Sequence, residues 1–166
     1  MMLLRRGLLA VVTSALATTA FAAKAEAQIL WLKVEGPDRA FTVEMPGTPE
    51  YKIVGQLHTY SLARGPIEYV AQSVEVYAGP PREILQAALD GAAPHLAGGK
   101  WQRLDWKDVQ AAPAVEATGT LKDGNALRNL LVLKGRRLVS LGVRGPTGTV
   151  RFPDAEKFFA SLRFAP

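Results

Sequence analysis

One hairpin sets the terms for the whole chain. Ala126–Lys134 and Arg137–Arg144 flank a two-residue turn at Gly135-Arg136, which pairs Lys134 with Arg137, Val132 with Val139 and Leu130 with Leu141. Those pairs share one face, and Leu131, Leu133 and Leu138 point to the other. A hairpin that is apolar on both faces needs cover on both sides. The expected architecture is therefore a sheet sandwiched between helices rather than a sheet with one wet side.

The rest of the chain supplies the layers. Trp31-Leu32-Lys33-Val34 and the alternating Phe41-Thr42-Val43-Glu44-Met45 are strand-like, and Pro46-Gly47-Thr48-Pro49 stops the second of them. Gln56–Arg64 and Ile67–Tyr77, separated by Gly65-Pro66, read as a hairpin. Arg82 to about Leu96 reads as a helix. Ile84, Leu85, Ala88, Leu89, Ala92 and Leu96 form one apolar stripe along it, and Pro94 kinks it or ends it early. Trp101–Val109 and Val115–Leu121 precede the central hairpin, with Asp123-Gly124 as the turn into it. Asp154 is expected to cap a short helix through Ser161 that lays Phe158, Phe159 and Leu162 on the sheet. Runs of strands split by one helix predict an α+β fold: a largely antiparallel sheet of about six to seven strands, flanked by a long central helix and a short C-terminal helix.

The N-terminus carries an export signature. Arg5-Arg6 precede an uncharged run of 17 residues from Gly7 to Ala23, and Ala25-Glu26-Ala27 fits a signal peptidase site. Cleavage between Ala27 and Gln28 leaves a single domain over 28–166; Ala23-Lys24-Ala25 offers a second cut. The paired arginines suit a twin-arginine signal and an ordinary one alike. The expected location is the periplasm or the outside of the cell. The 166-residue chain has no cysteine, which excludes disulfides, thiolate metal sites, a thiol nucleophile and a lipid anchor on an N-terminal cysteine. Its formal charge of +5 falls to +3 without the signal, split as −3 over 28–99 and +6 over 100–166. Such an asymmetry can mark a face for an anionic partner. Nucleic acid is not expected for an exported chain of this charge.

Two stretches carry a likeness. Phe41-Thr42-Val43-Glu44-Met45-Pro46-Gly47-Thr48-Pro49 resembles the F-x-V-x-x-P-x-x-P opening of many small exported bacterial domains. Ala155-Glu156-Lys157-Phe158-Phe159-Ala160-Ser161-Leu162-Arg163-Phe164 resembles their closing segment. The chain is similar in this way to the PsbP/DcrB-like group of α/β/α sandwiches over residues 31–166. The group includes photosystem extrinsic subunits, a Ran-binding protein of yeast and bacterial lipoproteins of poorly defined role. The resemblance implies a fold and a role in binding partners, with no shared catalytic residues, cofactor or metal to carry over. The chain departs from the lipoprotein members in lacking a lipobox cysteine, which favours a soluble periplasmic form.

No reactive constellation stands out. His58 and His95 are the only histidines; His58 has no second ligand at metal spacing, and His95 suits the C-terminal end of a helix dipole. Gly98-Gly99-Lys100 lacks the spacing of a phosphate loop. Asp105 and Asp108 have opposite strand parity and cannot share a proton or a metal, and Trp101 and Trp106 likewise differ in parity. Ser73, Ser140 and Ser161 lack a nucleophile elbow.

Three function classes follow. The first is a non-catalytic accessory or protein-interaction domain. Its binding face is placed at the basic residues Arg128, Arg136 and Arg137, against a periplasmic protein or an anionic surface. The second is a carrier holding a small apolar ligand between the long helix and the sheet, where Ala87-Ala88 and Gly91-Ala92-Ala93 leave room. The third, an enzyme, requires a polar pocket around His58.

Overall fold

The computed structural model describes residues 29–166, so the expected signal segment, Ala27 and Gln28 lie outside the described residues. Ten strands and two α-helices follow in chain order. They are β1 (Leu32–Glu35), β2 (Phe41–Met45), β3 (Glu50–Val54), β4 (Leu57–Arg64), β5 (Ile67–Glu75), α1 (Pro81–Ala92), β6 (Arg103–Val109), β7 (Ala112–Thr120), β8 (Ala126–Lys134), β9 (Arg137–Gly145), α2 (Pro153–Ala160) and β10 (Arg163–Phe164). Seven strands make one antiparallel sheet in the order β3-β4-β5-β9-β8-β7-β6, and β1-β2-β10 make a second, smaller one. The fold is α+β, as expected.

The central hairpin keeps its expected register: Lys134 pairs with Arg137, Val132 with Val139 and Leu130 with Leu141. On one face Leu130, Val132, Val139, Leu141, Tyr69 and Ala71 pack under Phe41, Val43, Met45, Phe158 and Leu162. On the other, Val115, Ala117, Leu131 and Leu133 pack against Leu85 and Leu89 of α1, joined by Trp101 and Trp106. Both tryptophans sit on the α1 side. The parity argument fails for Trp101 because β6 begins only at Arg103.

The first face is covered differently from expectation. An eight-residue helix is about 12 Å long, whereas seven strands span roughly 29 Å. So α2 covers only part of that face, and β1 and β2 close the rest as a separate sheet instead of joining the large one. Pairing of Phe164 with Phe41 ties the chain's end into that lid.

Several local expectations are corrected. Asp154 does not cap α2: the helix begins with Pro153 at its first position, Phe152 is the cap residue without a side-chain bond, and Asp154 lies in the first turn. β7 starts at Ala112 and runs through Pro113. That residue pairs with Asp108 of β6 ahead of the first β8 pairing at Ala114, so no ladder bond to β8 is demanded of it. The early end expected at Pro94 holds: α1 stops at Ala92, and Ala93–His95 continue as a 3-10 turn where Pro94 brings no N–H. Among the described residues no helix is long and apolar enough to cross a membrane.

Phe158 is fully buried, with its ring edge-on to Tyr69 at 5.5 Å. Phe158→Ala removes the anchor of α2 and should lower unfolding free energy by about 3–5 kcal/mol. Urea titration followed by tryptophan fluorescence measures this; a loss below about 1 kcal/mol would show that α2 is not needed to close the sandwich.

Candidate functional site

The three arginines expected to form one basic surface do not form one: they lie at opposite ends of the hairpin and differ in exposure. Arg128 has the strand parity of Leu130 and Val132, so it points into the first face and is only 5% exposed. Its guanidinium donates to Glu116 Oε1 at 2.8 Å and to Glu156 Oε1 at 2.6 Å, and lies 4.3 Å from the centre of the Phe159 ring. That makes Arg128 a core ion-pair residue rather than part of an exposed basic face, since its charge is already taken up by two carboxylates. Glu116 is held between Arg128 and Lys107, whose ammonium donates to its Oε2 at 2.5 Å. Burial pushes the Glu116 carboxyl up, but the hydrogen bonds and charges of Lys107 and Arg128 outweigh it and hold the group below its ordinary value.

Arg136 and Arg137 lie at the other end of the β8–β9 hairpin: Arg137 pairs with Lys134, six residues past Arg128 on β8 and so about 20 Å from it. Arg136 is exposed at the hairpin tip, its Nε–H donating to Val76 O. Arg137 is half-buried and already engaged by Ser73 Oγ, Asp38 and Glu75. Arg144 pairs with Glu68. Arg137–Glu75 and Arg144–Glu68 thus join the basic part of the chain to the acidic part across the β5–β9 seam, while Lys134 and Arg136 stay exposed.

The largest exposed apolar side chains within a strand lie on β3, which the sequence pattern did not resolve. This edge strand is exposed along its length, with Tyr51 at 52%, Ile53 at 51% and Val54 at 61%. The available signal was the run Tyr51-Lys52-Ile53-Val54 between Pro49 and Gly55: aromatic and β-branched residues bounded by turn formers. Tyr51 pairs with Tyr60 and Ile53 with His58. The Tyr51 and Tyr60 rings stack at 4.7 Å, and Tyr51 Oη lies 2.7 Å from His58 Nδ1. Tyr60 donates its hydroxyl to Glu35 O, pinning this end of the sheet to β1. Burial, with the neighbouring Tyr51, pushes the Tyr60 phenol up, so the donor keeps its proton.

His58 pairs with Ser73 on β5, the residue whose hydroxyl accepts from Arg137. The aromatic group and Arg137 therefore lie on one face at the same end of the sheet, about 10 Å apart across β5, with Arg136 in the turn beyond. Asp105 and Asp108 point to opposite faces, as read from the sequence. His95 sits in the 3-10 turn after α1, and its carbonyl accepts from Lys122 N. Among the described residues no group of three or more His, Asp or Glu could hold a metal.

Arg128→Met should leave the half-buried Glu116 with Lys107 as its close partner and cost about 3 kcal/mol, near the low end for breaking a buried pair because Glu156 is half exposed. Adding Glu116→Gln should recover part of that loss, measured as urea midpoints of the single and double variants. The same network gives a pH dependence. The Glu116 contribution is fully present above its ordinary pKa of 4.5 and is lost as pH falls through its lower folded-state value. Wild type should therefore lose more stability on acidification than Glu116→Gln does; parallel acid curves would remove Glu116 from this role.

No protein-family model and no curated protein matches the chain. Solved structures do. The solution structure of cyanobacterial PsbP (CyanoP) from Synechocystis sp. PCC 6803 matches at 7% identity and a TM-score of 0.61, over 85% of this chain and 96% of that one. A crystal structure from Bacteroides thetaiotaomicron matches at 10% and 0.54, over 81% of this chain and 48% of that one. PA94 of Pseudomonas aeruginosa, a protein of unknown function described as a candidate regulator, matches at 14% and 0.53, over 82% and 98%. At these identities the likeness is one of fold, and the fold that this chain shares is that of PsbP.

Proposed function

We propose that this chain is an exported accessory domain that binds a protein partner, and that the partner docks as an added strand on β3. The observation that carries this reading is the bare edge itself. β3 presents one side of its backbone unpaired and three large apolar side chains, Tyr51, Ile53 and Val54, half or more exposed. Edge strands are ordinarily blunted by charge, proline or a bulge, and β3 has only Glu50 and Lys52 against those three. Backbone ladder bonds supply affinity in strand addition, and alternate side chains supply selectivity.

The chemistry of the partner follows from the surroundings. Tyr51 and Ile53 share a face and suit apolar residues at every second position of an extended segment. Tyrosine and arginine are the residue types enriched where interfaces concentrate their energy. The exposed Lys52, between Tyr51 and Ile53 on β3, favours an acidic residue in the partner strand. Arg136, exposed in the β8–β9 turn and held by Val76 O, is placed at the far rim of this surface, while Arg137 is taken up by Ser73, Asp38 and Glu75. The fold shared with a PsbP and with a candidate regulator accords with a binding role. Export rests on Arg5-Arg6, the uncharged run and Ala25-Glu26-Ala27.

A photo-reactive amino acid at Lys52 in the native host should give one discrete adduct, and the same group at Asp90 on α1 should not. Ile53→Lys should abolish that adduct while shifting stability by no more than about 0.5 kcal/mol, because the site is exposed. Arg136→Ala should weaken it only modestly, as a rim charge does. Equal labelling at Lys52 and Asp90, or an adduct that survives Ile53→Lys, overturns the edge-docking reading.

A further inference from the structure

α1 lies against β7 and β8 and stops short of the centre line of the sheet. A cavity of about 170 Å³ opens beside it, over β5 and β9. Its walls are Ala88 and Ala92 of α1, Trp101, Leu131 and Leu138. Its floor is polar: Gln72, Ser140 and Asn129, from three adjacent central strands. Gln72 and Ser140 are direct cross-strand partners.

This polar floor is at odds with a face that elsewhere buries Leu131, Leu133 and Val115 under a helix. The Gln72 amide donates to Thr59 Oγ1 at 3.2 Å, and Thr59 is its cross-strand partner on β4. Asn129 lies over Gly142, where a Cβ would stand 2.6 Å from its Oδ1, so the missing side chain is what lets the amide lie there. Trp101 donates its indole N–H to Leu89 O at 3.1 Å, which fixes the ring as a rigid wall. None of the residues that line the cavity is charged.

We infer that this cavity binds a small, neutral, single-ring molecule that carries a hydrogen-bonding group. The volume sets the size, since a cavity of roughly 150 Å³ accommodates benzene. Apolar walls take the ring, and the Gln72, Ser140 and Asn129 side chains offer donors and acceptors to its polar end. An uncharged lining selects against an ion, whose desolvation nothing in the cavity repays. The site lies on the opposite face from Tyr51 and Ile53 and does not depend on the partner-binding reading.

Benzamide and its charged isostere benzoate are the probes, followed by two-dimensional amide NMR of the full domain. Benzamide should shift the Gln72, Leu138 and Ser140 amides and the Trp101 indole saturably, and benzoate should bind at least about tenfold more weakly. Ala92→Leu fills the cavity and should remove the benzamide shifts while the spectrum stays dispersed. Gln72→Leu, a second variant in the floor, should weaken benzamide several-fold and narrow the gap to the neutral, apolar probe toluene. Ile53→Lys should leave benzamide binding unchanged, so a failed docking edge does not count against the cavity. Non-saturable or scattered shifts, equal binding of benzoate, or full benzamide binding by Ala92→Leu with Gln72→Leu also unaffected would overturn the inference.

Discussion

The structure depends on burying both faces of β8 and β9. Leu130, Val132, Val139 and Leu141 on one side, and Leu131 and Leu133 on the other, are all buried. Each such side chain contributes about 1.5–3 kcal/mol when removed from water, and a cysteine-free chain has no covalent staple to substitute for them. Two covers are therefore obligatory. They are built from different material: a twelve-residue helix on one face, and a short helix with a three-stranded sheet on the other.

The surfaces of interest arise where these covers end. The lid of β1, β2 and β10 stops before β3, and the edge strand emerges with Tyr51 and Ile53 uncovered on that face. On the opposite face α1 stops over β8, and the sequence answers with Gln72 and Ser140 on the uncovered strands. Small residues at Ala88 and Ala92 then decide whether the helix margin fills the space or leaves it open. Leu57 joins the two regions: it borders the cavity and is the cross-strand partner of Val54 on the edge.

Legibility in the sequence followed the strength of local signals. A two-residue turn between apolar arms fixed the β8–β9 register residue by residue, because a slip by one would have exchanged the two faces. Pro94 and the glycines after it marked the end of α1 within a few residues. β3 went unresolved because neither of its faces is buried enough to impose alternation, whereas β2, also of five residues, alternates because one face is buried. The separation of β1 and β2 into their own sheet is a matter of area, visible only once the width of the large sheet is known. The candidate site was the least legible part. Arg128 had the parity of Leu130 and Val132 in plain view, yet its neighbours in sequence, Arg136 and Arg137, suggested a common basic face.

That grouping failed because charge counted along the chain is not charge distributed in space. Residues 28–99 are acidic and 100–166 basic, but β5 from the first part lies directly against β9 from the second. Arg137 meets Asp38 and Glu75, Arg144 meets Glu68, and Lys157 meets Glu44, each pair joining the two halves. These contacts are exposed enough to contribute little stability individually, roughly 0–1 kcal/mol each. Their larger consequence is on recognition. These pairs hold Arg137, Arg144 and Lys157 to the chain's own carboxylates, so what selects a partner is the apolar edge of β3, with the exposed Arg136 setting orientation rather than affinity.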